Sequence, residues 1–240
     1  MSVVEWKKEG TVAVVTMTNG ENRHNAVFVA DMSAALDAIE KDKEISSVVI
    51  TSSDQKNWSQ GIDLTWLTER MGKNETKQMK DFLYGINGIF KRLLTYPMPV
   101  IAAINGHAVA NGAILSCACD FRFMRADKGF FFFPEVDIGI PFLPGMIAFC
   151  RKAVPEYKFN EMLLSGKRYG AAELALHNII VKACENPETL LAEAMAFAGT
   201  YQKKRGIFAE MKKRMYKEMV RVIETEDPPI IEKLTLMVGD

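Results

Sequence analysis

The chain has 240 residues, of which 48% are hydrophobic and 25% charged, and its 30 Lys and Arg balance its 30 Asp and Glu. This composition is that of an ordinary globular protein and excludes a disordered, collagen-like or coiled-coil chain. A net charge of zero provides no basic field for a phosphate backbone, so we expect no nucleic-acid partner.

Short apolar, β-branched runs alternate with helical periodicity through the first two thirds of the chain. A turn at Glu9 and Gly10 separates the first two runs. The runs predict strands at residues 3–6, 11–17, 47–51, 100–104, 121–124 and 130–133. The periodic segments predict helices at residues 26–43, 75–94 and 110–119. This alternation predicts an α/β fold with a largely parallel sheet and right-handed crossovers.

The character of the chain is helical from residue 142 onward, with one strand-like interruption at residues 179–182. Helices are predicted at residues 142–152, 158–165, 171–176, 188–202, 208–224 and after Asp227. We therefore divide the chain into residues 1–185, a core that carries the site, and residues 186–240, a helical region that covers the core or a neighbouring subunit. Residues 66–80 are polar and are predicted to form a mobile segment beside the site.

The chain carries no signal for a membrane, an exported protein or a disulfide framework. No run of 18 apolar residues occurs, the start MSVVEWKKEG is not a signal peptide, and the end MVGD is not a peroxisomal address. Cys117 and Cys119 lie in an apolar run and are expected to be small buried side chains rather than ligands, and Cys150 and Cys184 are scattered along the chain, so we expect no metal site. We expect a cytoplasmic protein.

Three segments combine strand ends, glycines and a few polar groups: NWSQGIDL at 57–64, PVIAAINGHAVANG at 99–112, and FPEVDIGIPFLP at 133–144. In the first two, an apolar strand precedes a glycine-containing turn that opens into a helix. The backbone N–H groups at a helix start lack partners within the helix and lie at the positive end of its dipole. Two such starts facing one another would stabilise a developing oxyanion.

These segments resemble the crotonase (enoyl-CoA hydratase/isomerase) superfamily. The resemblance is carried, in order and at family-like spacing, by NRHNAV at 22–27, WSQGIDL at 58–64, residues 99–123 and FPEVDIGIPFLPG at 133–145. It implies a spiral of ββα units with a helical C-terminal trimerisation region, and hence a homotrimer or a dimer of trimers. It also implies an acyl-CoA substrate and no cofactor beyond the coenzyme A that the substrate carries.

The resemblance assigns the thioester oxygen to the backbone N–H groups of Ile62 and Asn111. Asn111 stands where the family usually has glycine, which leaves the N–H in place but raises a question about the backbone angles there. Arg23 either contacts the phosphate or adenine of CoA or is a solvated surface arginine. The residues implied to bind substrate are Arg23, Ala26, Ser59, Gln60, Gly61, Leu64 and Trp66.

The carboxylates decide which reaction the resemblance implies. Hydratases of this superfamily carry two glutamates, at the positions of Ile114 and Glu135, and dienoyl-CoA isomerases carry acids at Ile114 and Leu143. Only Glu135 is acidic here, as in Δ3,Δ2-enoyl-CoA isomerases, in which one base takes a proton from C2 and returns it to C4. Apolar sequence neighbours would raise the pKa of this carboxyl toward the working pH of a base.

The other polar residues near these segments are expected to be structural. Asp137 would share a strand face with Glu135 if that strand continued, but a capping or pairing role is favoured. Asp63 is expected to cap the helix that begins near Leu64. His107 is expected to pack rather than catalyse, and His24 and His177 receive no role.

Two alternatives to an isomerase remain open. The first is another crotonase-type acyl-CoA enzyme, such as a hydratase, thioester hydrolase or decarboxylase. The second is a non-catalytic relative that binds CoA or RNA. Zero net charge and the absence of a helix rich in Lys and Arg count against RNA.

Overall fold

The computed structural model describes residues 2–237, and strands and helices alternate through most of this range. Met1 and residues 238–240, including the last three residues of the MVGD end, lie outside it. The strands are β1 (Val4–Glu9), β2 (Val12–Met17), β3 (Ser47–Ser52), β4 (Asn57–Ser59), β5 (Val100–Ile104), β6 (His107–Val109), β7 (Phe121–Arg125), β8 (Phe131–Phe132) and β9 (Lys182–Cys184). The helices are α1 (Ala26–Lys41), α2 (Leu64–Gly72), α3 (Thr76–Thr95), α4 (Asn111–Ala118), α5 (Glu135–Ile138), α6 (Pro144–Ala153), α7 (Glu156–Ser165), α8 (Ala171–Leu176), α9 (Pro187–Gly199), α10 (Arg205–Met215), α11 (Lys217–Thr225) and α12 (Pro228–Lys233).

The strands form two sheets. The larger sheet has the order β1-β2-β3-β5-β7-β9 and is parallel except for the β1–β2 hairpin. The smaller sheet has the order β4-β6-β8 and is parallel throughout. Three successive turns of the chain each place one strand in the large sheet, one in the small sheet and then a helix. The predicted α/β spiral of ββα units is therefore confirmed.

The large sheet is covered on both faces, as the continuous apolar runs of its strands predict. One face packs against the main core, which includes α1, α3 and α4. On the other face, Val49, Ile101 and Phe123 pack with Leu190 and Ala194 of α9. All four cysteines are buried and unpaired, as expected for Cys117 and Cys119.

The polar run at 66–80 is helical over most of its length, since it spans most of α2 and the start of α3, and its mobility stays a prediction. Asp63 caps α2 by accepting a hydrogen bond from Trp66 N, and the Trp66 ring packs on Phe82 with 5.2 Å between centroids. The single helix expected at 208–224 is two, α10 and α11, which meet at Tyr216.

The C-terminal helices pack onto the rest of the chain. Lys212 of α10 is buried, and its Nζ donates to the carboxylate of Asp120 and to Leu93 O. Asp227 is fully buried and accepts hydrogen bonds from Gly145 N at the start of α6 and from Asn87 of α3. No helix among residues 2–237 has the length and apolar character needed to cross a membrane.

Candidate active site

The residues singled out by the sequence follow the carboxyl ends of the three neighbouring strands of the small sheet. Ile62 comes three residues after β4, Asn111 two after β6, and Glu135 three after β8. The pairs Ala108–Phe131 and Val109–Phe132 fix the register of β6 and β8. Because the carboxyl ends of parallel strands meet at one edge, the topology brings these three residues to the same edge, where α/β proteins bind ligands.

Gly61 lies where the loop after β4 comes close to the end of β6 and the start of α4. Its φ is +81°, and a Cβ built on it would lie 2.9 Å from Val109 O and 3.0 Å from Asn111 N. A side chain would therefore be strained by the backbone and would also press on the start of α4. Glycine at this position lets the two candidate donor segments come together.

The backbone N–H groups of Ile62 and Asn111 are available as donors. No hydrogen-bond acceptor for either is found within the part of the chain that the structure describes. The groups beside Ile62 are engaged, since His24 N donates to Gly61 O at 2.7 Å and Asp63 N donates to His24 O at 2.9 Å. Asn111 is the first residue of α4, where an N–H has no partner within the helix and the dipole favours negative charge.

The question raised about the backbone angles at Asn111 concerns its neighbour instead, because the unusual angles are those of Ala110. Ala110 has φ +51° and ψ −127°, a region that glycine adopts far more readily than alanine. Its N–H donates to Phe132 O at 3.2 Å, and its carbonyl accepts from Ile114 N at 3.0 Å. These bonds hold the strained residue and thereby allow Asn111 to begin α4 with its N–H free.

Glu135 is the first residue of α5 and is 7% exposed. Burial raises the pKa of its carboxyl to about 8, and a hydrogen bond from its own backbone only partly opposes this effect. Its Oε2 has no hydrogen-bond partner within residues 2–237. Ile114 and Leu143, the positions at which related enzymes carry further acids, are buried apolar side chains. The carboxyl is therefore without a second acid at either position.

The roles expected for the other polar residues near these segments stay predictions. The strand does not continue to Asp137: this residue lies on α5 and is exposed, and its carboxylate lies where a side chain on Gly166 would have to go. His107 Nδ1 accepts a hydrogen bond from Phe130 N, and the two rings pack at 5.7 Å. His177 is hydrogen-bonded to the Tyr157 hydroxyl, far along the chain from the three segments.

The implied substrate-binding residues divide between the surface and the interior. Arg23 forms an ion pair with Glu21 at 2.7 Å and keeps 39% of its side chain exposed, so it is accessible from solvent. Ala26 borders a depression of about 270 Å³ between α1 and α3, and Leu64 borders one of about 410 Å³ on α2. Glu135 lines neither of these two depressions. Ser59 and Gly61 are buried, whereas Gln60 and Trp66 are half-buried.

One further residue at this edge, His24, was not predicted from the sequence to have a role. His24 is completely buried between Ser59 and Asn111, with a ring nitrogen 2.9 Å from Ser59 Oγ and the other 2.8 Å from Asn111 Nδ2. Its partners are 35 and 87 residues away in the chain. The sequence contains no local signal for contacts at such separations.

The sequence is similar to known proteins over most of its length. The sequence model of the enoyl-CoA hydratase/isomerase family matches residues 7–227. Enoyl-CoA delta isomerase 3 from Arabidopsis thaliana is 30% identical over 227 residues, which cover 91% of this chain and 94% of the relative. A putative enoyl-CoA hydratase from Thermus thermophilus is 32% identical over 194 residues, covering 80% of this chain and 74% of the relative.

The fold likewise matches solved structures. The crystal structure of an enoyl-CoA hydratase/isomerase family protein from Pseudomonas syringae superposes with a TM-score of 0.86, covering 96% of this chain and 97% of that one, at 23% identity. With the family model spanning residues 7–227 and the ββα spiral in place, the chain belongs to the enoyl-CoA hydratase/isomerase family.

Proposed function

We propose that this protein is an enoyl-CoA delta isomerase that moves a double bond from C3 to C2 of an acyl-CoA. The observation that carries the proposal is the buried carboxyl of Glu135. Glu135 follows β8, and the neighbouring strand β6 leads into Asn111, whose N–H has no acceptor within the described chain. The similarity to an Arabidopsis protein named enoyl-CoA delta isomerase 3 supports the same reaction.

The reaction starts with the ionised form of Glu135 taking a proton from C2 of a 3-enoyl thioester. The electrons of the broken C–H bond form a C1–C2 double bond, and the negative charge moves onto the thioester oxygen. The N–H groups of Ile62 and Asn111 would bind this oxygen, and donors of this kind typically contribute several kcal/mol to the transition state. Because a thioester α-proton is weakly acidic, the reaction depends on that stabilisation.

The second half of the reaction returns the proton. As the enolate carbonyl re-forms, the electrons shift along the chain, and the carboxyl of Glu135 gives its proton to C4. The product is the 2-enoyl thioester, and the base is regenerated without net gain or loss of a proton. A carboxyl whose pKa is about 8 suits both halves, since it is a stronger base than an ordinary glutamate and a competent acid at neutral pH.

The apolar side chains at Ile114 and Leu143 favour isomerisation over hydration. Adding water to a double bond requires a group that holds and deprotonates the water as well as a group that protonates C2. With Glu135 alone, a proton can be moved within the substrate, but water has no second acid or base at those positions. The proposed substrate supplies its own coenzyme A, and the proposed reaction requires no other cofactor. We also propose that the chain acts as a homotrimer or a dimer of trimers.

The test is a comparison of two reactions by one preparation. We expect the pure protein to convert a 3-enoyl-CoA to the 2-enoyl-CoA and to hydrate crotonyl-CoA poorly or not at all. Glu135→Gln should lower isomerisation by several orders of magnitude, since an amide fills the same volume but cannot take the proton. Asp137→Asn makes the same chemical change on the exposed side of the same short helix and should retain turnover.

Two results would count against the proposal. Efficient hydration of crotonyl-CoA would assign the chain to hydratase chemistry despite its single carboxyl. Loss of isomerisation in Asp137→Asn, together with retention in Glu135→Gln, would show that the base is a different residue. A binding titration with the product 2-enoyl-CoA verifies that each variant is folded.

A further inference from the structure

The side chain of His24 lies in a closed hydrogen-bond network between the two candidate donor segments. Its Nδ1 is 2.8 Å from Asn111 Nδ2 and its Nε2 is 2.9 Å from Ser59 Oγ. Both partners are buried, and His24 itself has no exposed surface. This network does not involve Glu135 and is not used in the proton transfer described above.

The donors and acceptors of the network are determined by chemistry. An amide nitrogen can only donate, so Asn111 Nδ2 donates to His24 Nδ1, and the ring proton resides on Nε2 and is donated to Ser59 Oγ. The Ser59 hydroxyl donates in turn to Asn22 O at 2.8 Å. Burial lowers the pKa of His24 to about 3, so the ring is neutral at working pH and can accept at one nitrogen and donate at the other.

The same network reaches the backbone on both sides of Ile62. Ser59 Oγ accepts a hydrogen bond from Gly61 N at 3.1 Å. The backbone of His24 pairs with this loop as well, through Gly61 O and Asp63 N, at 2.7 and 2.9 Å. The main chain of His24 therefore holds the loop that carries the Ile62 N–H. The side chain of His24 holds Asn111, which carries the other N–H.

The position of the ring is fixed from outside the network. His24 stacks on Phe28 with 4.0 Å between ring centroids and 17° between planes. On the other side, Asn111 Oδ1 has no hydrogen-bond partner within the described chain, so the bond to His24 is what orients this amide. The stacked His24 ring therefore orients the Asn111 amide, which has no other side-chain hydrogen bond within the described chain.

We propose that His24 is a positioning residue that sets the spacing of the Ile62 and Asn111 N–H groups, and with it the polarisation of the bound thioester carbonyl. The inference rests on the proposed function of this edge as an acyl-CoA site. A displacement of about 1 Å in a catalytic constellation reduces the rate by up to about a hundredfold, and loss of one oxyanion donor has an effect of similar size. Removal of the network should act on the transition state more than on binding, because the thioester oxygen carries its full negative charge only as the enolate forms, when the two N–H groups bind it most strongly.

The test uses His24→Leu, which keeps an apolar side chain of similar bulk but removes both side-chain hydrogen bonds. We expect kcat for a 3-enoyl-CoA to fall by about 10–100-fold while KM stays within about threefold. The pH at which the rate is half-maximal should not move, since His24 is not the base. His177→Leu is the matched control, because it removes a histidine with one side-chain hydrogen bond, to Tyr157, away from this edge, and its kcat should equal that of the wild type.

A spectroscopic measurement separates this inference from the proposed reaction. The probe is 2-hexenoyl-CoA labelled with ¹³C at the thioester carbonyl, whose infrared stretch falls when the oxygen accepts strong hydrogen bonds. We expect the wild type to lower this frequency and His24→Leu to lose most of the lowering. A wild type that lowers the frequency without isomerising would refute the proposed function, and the response of His24→Leu would still decide the role of His24.

Asn111→Ala gives a second route to the same answer, including the case in which His24→Leu does not fold. It keeps the Asn111 backbone N–H and removes only the amide that His24 holds, so it should reproduce the loss of kcat and of the carbonyl shift. The double variant should lose no more than the larger single effect, as expected for two members of one network. Wild-type kcat and an unchanged carbonyl frequency in folded His24→Leu, or in Asn111→Ala, would overturn the inference.

Discussion

Replacing Glu135 with glutamine should stabilise the protein increasingly as the pH rises, even as it abolishes activity. The carboxyl is 7% exposed, and burial raises its pKa from 4.5 to about 8. Burial disfavours the charged form, so the folded state keeps the proton while the unfolded chain releases it. The stabilising contribution of the neutral carboxyl is therefore complete below pH 4.5 and is lost as the pH rises toward 8.

The size of the effect follows from linkage. Between pH 4.5 and 8 the wild type loses about 1.4 kcal/mol of unfolding free energy per pH unit through this group, approaching about 4 kcal/mol in all. Glutamine does not titrate, so the unfolding free energy of Glu135→Gln minus that of the wild type should rise by this amount across the window. Differences in packing between the two side chains are independent of pH and do not affect the slope.

The assay is urea unfolding of both proteins at pH 5, 6.5 and 8, with turnover of a 3-enoyl-CoA measured alongside. Wild-type kcat/KM should rise with pH and reach half of its plateau near pH 8, because the base must be ionised to take the proton. A difference in unfolding free energy that is the same at all three pH values would refute the conclusion that Glu135 is buried and neutral. A midpoint near pH 4.5 for activity would refute it independently.

Three further substitutions test the geometry around the site. Gly61→Val should lower turnover by a factor of roughly 100 or more, because its Cβ would press on Asn111 N; an unchanged rate in folded protein would contradict the role of this loop. Ala110→Gly should raise the unfolding free energy by about 1 kcal/mol in urea titrations, since it relieves a φ of +51°, whereas glycine in the middle of a regular helix or strand would be destabilising. Lys212→Ala should lower the unfolding free energy by about 3 kcal/mol by leaving Asp120 without its buried partner, and a loss under 1 kcal/mol would show that water replaces the ion pair.

The sequence predicts well those helices and strands whose own pattern of apolar residues shows which of their faces is buried. The apolar run of β3 is buried on both faces because the main core covers one face of the large sheet and α9 covers the other, and α1 presents Met32, Leu36 and Ile39 inward with the spacing of a helix. The candidate donor segments and Glu135 could also be singled out as candidates, because glycine, helix starts and an isolated carboxyl are local features of the sequence.

Other features depend on contacts that local sequence does not encode. The Asp63 cap of α2 could be predicted from residue type, but the packing of the Trp66 ring on Phe82 of the next helix could not. The chain after β8 turns into the short helix α5 instead of continuing as a strand, which puts Glu135 inside and Asp137 outside.

His24 shows most clearly what only the tertiary structure decided. Nothing adjacent to it in the chain distinguishes a buried, doubly hydrogen-bonded imidazole from a surface histidine. Its role depends on Ser59 and Asn111, which the folding of two separate ββα units carries to either side of the ring. The sequence by itself determined which groups can donate a hydrogen bond or take up a proton, because these properties depend on residue type and local backbone. The partners of each group were decided by the packing of strands distant in sequence, since hydrogen bonds require atoms within about 3 Å.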